Sequence, residues 1–212
     1  HLSESYWTLE PFDGGSMAVD RGLLLDEEAL ASMGEYKRYS LTESGVSPRS
    51  RPGLPSGVFV TTGDAHDEFG HITEEEETVV AHHDKRLGKM RDLDFSAHGA
   101  TLHGETDADI TLVGWGSTKG VILDAVKALA KEGIRLNFLQ VRFMSPFPAE
   151  AVAGYLTKAR RTVLVEHNAT GQLAGLIAEQ TSIRIEERIL SYGGRQFMVD
   201  ELALKIKKRI GR

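Results

Sequence analysis

Ile110-Thr111-Leu112-Val113-Gly114-Trp115-Gly116-Ser117-Thr118-Lys119-Gly120 decides the fold, because it opens a strand–turn–helix series that fills the rest of the chain. The apolar run Ile110–Val113 reads as a buried strand, the glycines as a turn, and an amphipathic helix follows at once. Val121, Ile122, Ala125 and Leu129 share one face at the 3.6-residue period, with Asp124, Lys127 and Lys131 turned outward. Gly133 stops the helix, and Ile134 to Val141 reads as the next buried strand. This is the grammar of βαβ units, and it calls for a parallel sheet covered by helices.

The same alternation continues. Pro146-Phe147-Pro148 makes a turn, and Pro148 suits the first helical position of a helix over Ala149 to Ala159. Thr162–Glu166 reads as a third strand, Gln172–Thr181 as a helix, Arg188–Ser191 as a short fourth strand and Val199–Ile210 as a closing amphipathic helix. The expected fold is α/β: a three-layer α/β/α sandwich over residues 105–212, its sheet mostly parallel with room for one reversed edge strand. Residues 1–104 read as an irregular α/β extension and linker. Pro11–Gly15 and the Pro/Gly-rich stretch Ser47–Gly57 are turns and loops. Leu23–Met33 predicts a short helix, and Gly57–Thr62 a buried strand bounded by glycines. Glu74–Leu93 predicts a charged helix with Val79, Val80, His83, Leu87 and Met90 near one face. There is no internal repeat and no low-complexity tract.

The composition of the 212 residues, 41% hydrophobic and 26% charged, is that of an ordinary globular protein. A net charge of −6 argues against a general nucleic-acid binder, which needs a basic face to displace counterions. With no cysteine, the chain itself holds no disulfide, no thiolate-bound iron–sulfur cluster and no cysteine nucleophile. No apolar run nears the roughly 18 residues that suggest a membrane span, and no signal-peptide pattern is present. A cytoplasmic protein that meets no membrane is expected. The chain opens on His1 rather than Met, so a fragment of a longer polypeptide is expected as well.

Thr162-Val163-Leu164-Val165-Glu166-His167-Asn168-Ala169-Thr170-Gly171-Gln172-Leu173, followed by Tyr192-Gly193-Gly194-Arg195-Gln196-Phe197, resembles the C-terminal domain of the alpha subunit of 2-oxoacid:ferredoxin oxidoreductases. Tyr36-Lys37-Arg38-Tyr39 through Thr62-Gly63-Asp64-Ala65-His66-Asp67-Glu68-Phe69-Gly70-His71-Ile72-Thr73-Glu74 resembles the same subunit, nearest the 2-oxoglutarate type. Ser3-Glu4-Ser5-Tyr6-Trp7-Thr8 resembles the exit from the pyrimidine-type thiamine-diphosphate domain, which is expected upstream. The resemblance implies a transketolase C-terminal-like sandwich. It also implies an enzyme that oxidatively decarboxylates a 2-oxoacid, such as 2-oxoglutarate, to an acyl-coenzyme A. Thiamine diphosphate and magnesium would be bound largely on the beta subunit, and iron–sulfur clusters would pass electrons to ferredoxin. The implied partners are a beta subunit and a second alpha subunit. No diphosphate–magnesium motif lies in this sequence, so no cofactor, no metal and no catalytic residue is expected on it, and the isolated fragment is expected to be inactive.

Each constellation also carries a reading of its own. Gly114, Gly116 and Ser117 stand where a strand end meets a helix start, a place that favours anions. The spacing fits neither Gly-x-Gly-x-x-Gly nor the P-loop, and a tight turn capped by Ser117 or Thr118 is the leading reading. Asp64, His66, Asp67, Glu68 and His71 form the densest polar cluster; its imidazoles and carboxylates suit a divalent cation and His71 suits acid–base work near neutral pH, but the spacing is neither His-Glu-x-x-His nor an EF-hand loop. A solvated or loop-stapling role is the leading reading of the cluster, with His66, Asp67 and His71 as candidates to face an active site or a neighbouring subunit and metal binding as the third alternative. Glu166, His167 and Asn168 follow a strand, where ligand-facing side chains gather in parallel sheets, against a simple turn. His82 and His83 read as surface residues, and Arg195 as exposed. Arg142, Phe143 and Phe147 are expected to join the Gly114–Ser117 and Glu166–Asn168 turns on one edge that faces another subunit. Two functions follow: an assembly and site-shaping part of a thiamine-dependent oxidoreductase, or a stand-alone α/β ligand-binding or regulatory module.

Overall fold

The computed structural model describes Gly15, residues 20–91 and residues 98–211. The stretches Ser3–Thr8 and Pro11–Gly14 lie outside the described residues. The chain divides into two compact units, one spanning residues 13–93 and one containing residues 94–212.

In the first unit, α1 (Glu27–Ser32) is shorter than the Leu23–Met33 reading. Asp26 caps it by accepting the Ala29 N–H at 2.9 Å, and Glu27 and Glu28 sit in the first turn, where negative charge favours the dipole. The residues before the cap are committed elsewhere: Leu24 forms an isolated parallel bridge with Arg49. A single 3-10 turn, Pro55–Gly57, interrupts the Pro/Gly-rich stretch. The strand expected over Gly57–Thr62 does not form. Val58 is 79% exposed and Val60 49%, and among the described residues nothing pairs with them as a ladder. An apolar run becomes a strand only beside a neighbour; here the Phe59 ring instead meets those of Tyr36 and Tyr39 edge-to-face, at 6.2 and 6.3 Å.

The charged helix, α2, runs over Glu76–Gly88. Of the expected face only Val79 is half-buried, while Val80, His83, Leu87 and Met90 are exposed. His82 and Gly88 are buried, Thr78, Ala81 and Lys85 half-buried, and Val80 and Leu87 exposed. Thr78, Ala81, His82, Lys85 and Gly88 recur at three- and four-residue steps, so the seam is a true helical stripe made largely of polar and small residues. His82, read as a surface residue, is 3% exposed.

The second unit is the sandwich. Its five-stranded sheet has the order β1-β3-β2-β4-β5: β1 (Ala100–His103), β2 (Ile110–Trp115), β3 (Leu136–Val141), β4 (Thr162–Glu166) and β5 (Glu187–Leu190). All neighbours are parallel except β1, which runs antiparallel to β3 and starts upstream of Glu105. The helices are α3 (Thr118–Ala130), α4 (Ala149–Leu156), α5 (Gln172–Thr181) and α6 (Val199–Ile210). Although β2, β3 and β4 look continuously apolar, their residues alternate between two cores. Ile110, Leu112, Leu136, Phe138, Val163 and Val165 meet Val121, Ile122, Ala125 and Leu129 of α3 and Leu202 and Ile206 of α6. Val113, Leu139, Val141 and Leu164 meet Val152 and Leu156 of α4 and Leu173, Ala174 and Ile177 of α5. Burial on both faces is what a parallel sheet requires.

Ile122 is fully buried beneath β2, so truncation leaves a cavity that the sheet backbone cannot close. Ile122→Ala is expected to cost about 2–5 kcal/mol in urea unfolding; a loss below about 1 kcal/mol would mean that α3 does not cover the sheet as described.

Candidate functional site

Parallel pairing brings the C-terminal ends of β2, β3, β4 and β5 to one edge, with Trp115 opposite Val141 and Glu166 opposite Leu190. The turns singled out in the sequence therefore do gather. At Gly114 an added Cβ would lie 2.8 Å from Thr118 Oγ1, 2.9 Å from Ile122 Cδ1 and 3.2 Å from Val165 O, so any larger residue would push these neighbours aside. Gly116 takes a left-handed φ of 56°, which turns the chain into α3. Ser117 stands at the N-cap without a capping bond, while Thr118 Oγ1 donates to Trp115 O at 2.8 Å, so neither hydroxyl caps the helix.

Glu166 points inward and is completely buried. Its carboxylate accepts the Trp115 indole N–H at 2.9 Å, the Asn168 side-chain amide at 3.0 Å and the Leu173 N–H at 3.0 and 3.1 Å. A buried charge survives only when its oxygens are bonded in this way. The Leu173 bond sets the negative charge at the first turn of α5, where the helix dipole favours it. Asn168 Oδ1 in turn accepts the N–H groups of Thr170, Gly171 and Gln172 at 3.1, 2.6 and 3.3 Å, closing the turn into the helix. His167 stacks on Phe197 at 4.6 Å, and its Nε2 accepts the Phe197 N–H at 3.1 Å. All three side chains are thus engaged within the unit. Trp115, the partner that pins Glu166, was missed in the sequence because it lies 51 positions away.

The remaining edge residues differ. Phe147 is half-buried against the second core together with Met144 and Tyr155, so much of its ring is already covered. Arg142 is exposed, its backbone N–H donating to Gly99 O at 2.9 Å. Tyr192 is 75% exposed, and Arg195 is ion-paired with Glu201.

In the first unit, His66, Asp67 and His71 lie on one tight turn. Asp67 N and His71 O bond at 2.9 Å, and Asp67 Oδ1 accepts the N–H groups of Phe69 and His71, both at 2.9 Å. Burial opposes ionisation of Asp67, but the His71 and Phe69 N–H donors and the nearby His71 ring outweigh it and hold the carboxyl below its ordinary range. His66 Nδ1 bonds Asp67 O at 2.8 Å, and its ring lies 4.2 Å from Tyr39 and 5.2 Å from His82. His71 is exposed and stacks on Phe69. Glu68 is lowered first by its hydrogen bond from Lys37, at 2.8 Å, and then by the Leu41 N–H. Burial lowers His82, and so do His66 and Lys85 beside it; its Nε2 has no hydrogen-bond partner among the described residues. Lys85, unremarked in the sequence, donates to Tyr39 O at 2.7 Å and Ser47 Oγ at 2.5 Å. Among the described residues, no group of three or more His, Asp or Glu comes together as metal ligands.

A sequence model of pyruvate:ferredoxin oxidoreductase core domain II matches residues 108–202. The alpha subunit of 2-oxoacid:ferredoxin oxidoreductase 2 from Aeropyrum pernix is 36% identical over 202 residues, covering 94% of this chain and 30% of that protein. The corresponding alpha subunit from Saccharolobus solfataricus is 35% identical over 176 residues, covering 82% of this chain and 28% of that protein. A solved 2-oxoglutarate:ferredoxin oxidoreductase from Magnetococcus marinus, with 2-oxoglutarate, coenzyme A and succinyl-CoA bound, superposes with a TM-score of 0.64 at 29% identity. That match covers 84% of this chain and 31% of the solved one. The chain thus spans about 30% of the length of each of these three proteins.

Two tests follow from these geometries. Glu166→Gln keeps the volume but leaves N–H donors converging on an amide that accepts at one oxygen only; a stability loss of about 2–3 kcal/mol is expected in urea unfolding. Unchanged stability combined with lost activity of the assembled enzyme would instead make Glu166 a chemical group. The second test uses pH. Burial first, then Lys89 and Arg38, bring the Lys85 ammonium down from 10.5 to about 8. Between these values the unfolded chain binds more protons than the folded one, so the stability of wild type relative to Lys85→Met should rise as pH goes from about 8 to 10.5. A difference that stays flat or falls across that window contradicts the assignment.

Proposed function

From the premise that the chain belongs to the 2-oxoacid:ferredoxin oxidoreductase family, as the C-terminal part of an alpha subunit, we propose that it is an assembly and site-shaping element of a thiamine-diphosphate-dependent enzyme. That enzyme oxidatively decarboxylates a 2-oxoacid such as 2-oxoglutarate to its acyl-coenzyme A in the cytoplasm and passes electrons to ferredoxin. The match to a solved enzyme carrying 2-oxoglutarate and coenzyme A supports this substrate class. Iron–sulfur clusters do not fit this chain, which has no cysteine thiolate, and no diphosphate–magnesium loop lies in the sequence. Thiamine diphosphate, magnesium and the clusters therefore belong to other segments or to the beta subunit, and no chemical step is assigned to residues of this chain.

The observation that carries the assembly role is how the sheet edge uses its side chains. The carboxylate, imidazole and amide of Glu166, His167 and Asn168 are bonded internally. Among the side chains left at the surface, Arg142 and Tyr192 are of the anchoring kind. Such an edge supports packing against a beta subunit or a second alpha subunit. His66, Asp67 and His71 are proposed to serve likewise, their turn set rigidly enough to present His71 outward.

The test is made in the reconstituted complex. Arg142→Glu with Tyr192→Ala is expected to weaken assembly by about 2 kcal/mol or more in sedimentation velocity. Unchanged assembly with lost turnover would mean that this edge faces substrate rather than a subunit.

A further inference from the structure

The first unit contains a cleft of about 450 Å³ whose lining includes Arg38, Arg49, Arg51, Leu54, Val58 and Phe59. Three arginines are among the residues that line it, and among the described residues no Asp or Glu is. Among the described residues, none of the three arginines forms an ion pair, although the chain as a whole carries a net charge of −6. Like charges left unneutralised around one small space repel one another, and an anion between them removes that repulsion.

Two of the arginines are held in place by neutral groups. Arg49 is fixed through its backbone, its N–H donating to Leu23 O at 2.9 Å and its carbonyl accepting the Leu25 N–H at 3.0 Å. Its Nη2 donates to Arg21 O at 3.3 Å, which orients the guanidinium without neutralising it. Arg38 lies over two aromatic rings, 5.2 Å from the centre of Tyr39 and 5.7 Å from that of Phe59. Arg51 is exposed on the turn that continues to Leu54. The lining also includes the apolar Pro52, Leu54, Val58 and Phe59, and Val58 in particular is left almost bare. The cleft thus combines cationic and apolar residues in one lining.

We propose that this cleft binds an organic phosphate: a phosphate monoester whose oxygens take the Arg38, Arg49 and Arg51 guanidiniums and whose apolar group lies on Val58 and Phe59. One carboxylate occupies one guanidinium fork, whereas a phosphate monoester brings three free oxygens and close to two negative charges near neutral pH, a better match for three arginines. This site is independent of the assembly role proposed above.

The experiment is calorimetric titration of the 212-residue chain with phenyl phosphate, with phenol as the uncharged control. Saturable binding of phenyl phosphate and none of phenol is expected. Arg51→Gln, an exposed substitution whose folding is checked by circular dichroism, should weaken binding about tenfold. Arg135→Gln, which removes an equal charge in the other unit, should leave binding unchanged. Absence of saturation overturns the proposal, as does equal weakening by Arg51→Gln and Arg135→Gln, which would mark nonspecific charge attraction. Tighter binding of an acidic peptide such as Glu-Phe-Glu than of phenyl phosphate would overturn it too, making the cleft a protein-docking surface.

Discussion

A single carboxylate with no access to water ties together the parts of the sandwich that meet at the C-terminal edge of its sheet. Glu166 ends β4, reaches across to the indole of the residue that ends β2, and receives N–H groups from the turn and helix that follow it. Removing water from a charge is costly, and only a full set of donors offsets the cost. The arrangement is therefore strongly conditional: β2, β4 and the start of α5 must all be in place, or the charge is stranded. Such a group contributes less to net stability than to uniqueness, because any slipped register of β4 against β2 would leave it unsatisfied.

The same feature explains why the edge looks more chemical in the sequence than it is in three dimensions. Acid, imidazole and amide in consecutive positions after a strand match the usual placement of ligand-facing groups. Here Glu166 faces inward, His167 lies against Phe197 and Asn168 closes a turn. No local signal separates these roles, since the deciding partners, Trp115 and Phe197, are 51 and 30 positions away.

Where the sequence was legible, the physics was local. The bounds of α5 and α6 are those the periodicity indicates, and the buried strands β2, β3 and β4 stand out because a sheet covered on both faces needs long apolar runs. Ala100–His103 escaped notice because an edge strand with one reversed neighbour carries no such run. Val58-Phe59-Val60 misled for the complementary reason: it has strand composition but no neighbour to pair with among the described residues. On α2, hydrophobicity pointed to Val80 and Leu87, whereas packing uses the stripe through His82 and Lys85. Their polar ends find Tyr39 and Ser47, or sit beside aromatic rings, and hydropathy alone cannot register this.

The strand order also fixes a schedule. β2 lies in the middle of the sheet, yet it is the first of the four parallel strands to leave the ribosome. β3 then adds on one side of it, β4 on the other, and β5 outside β4, while β1 waits only for β3. No strand has to be threaded between two others already paired. The sandwich can therefore be laid down outward from its centre as the chain is synthesised, each helix covering its strand before the next arrives.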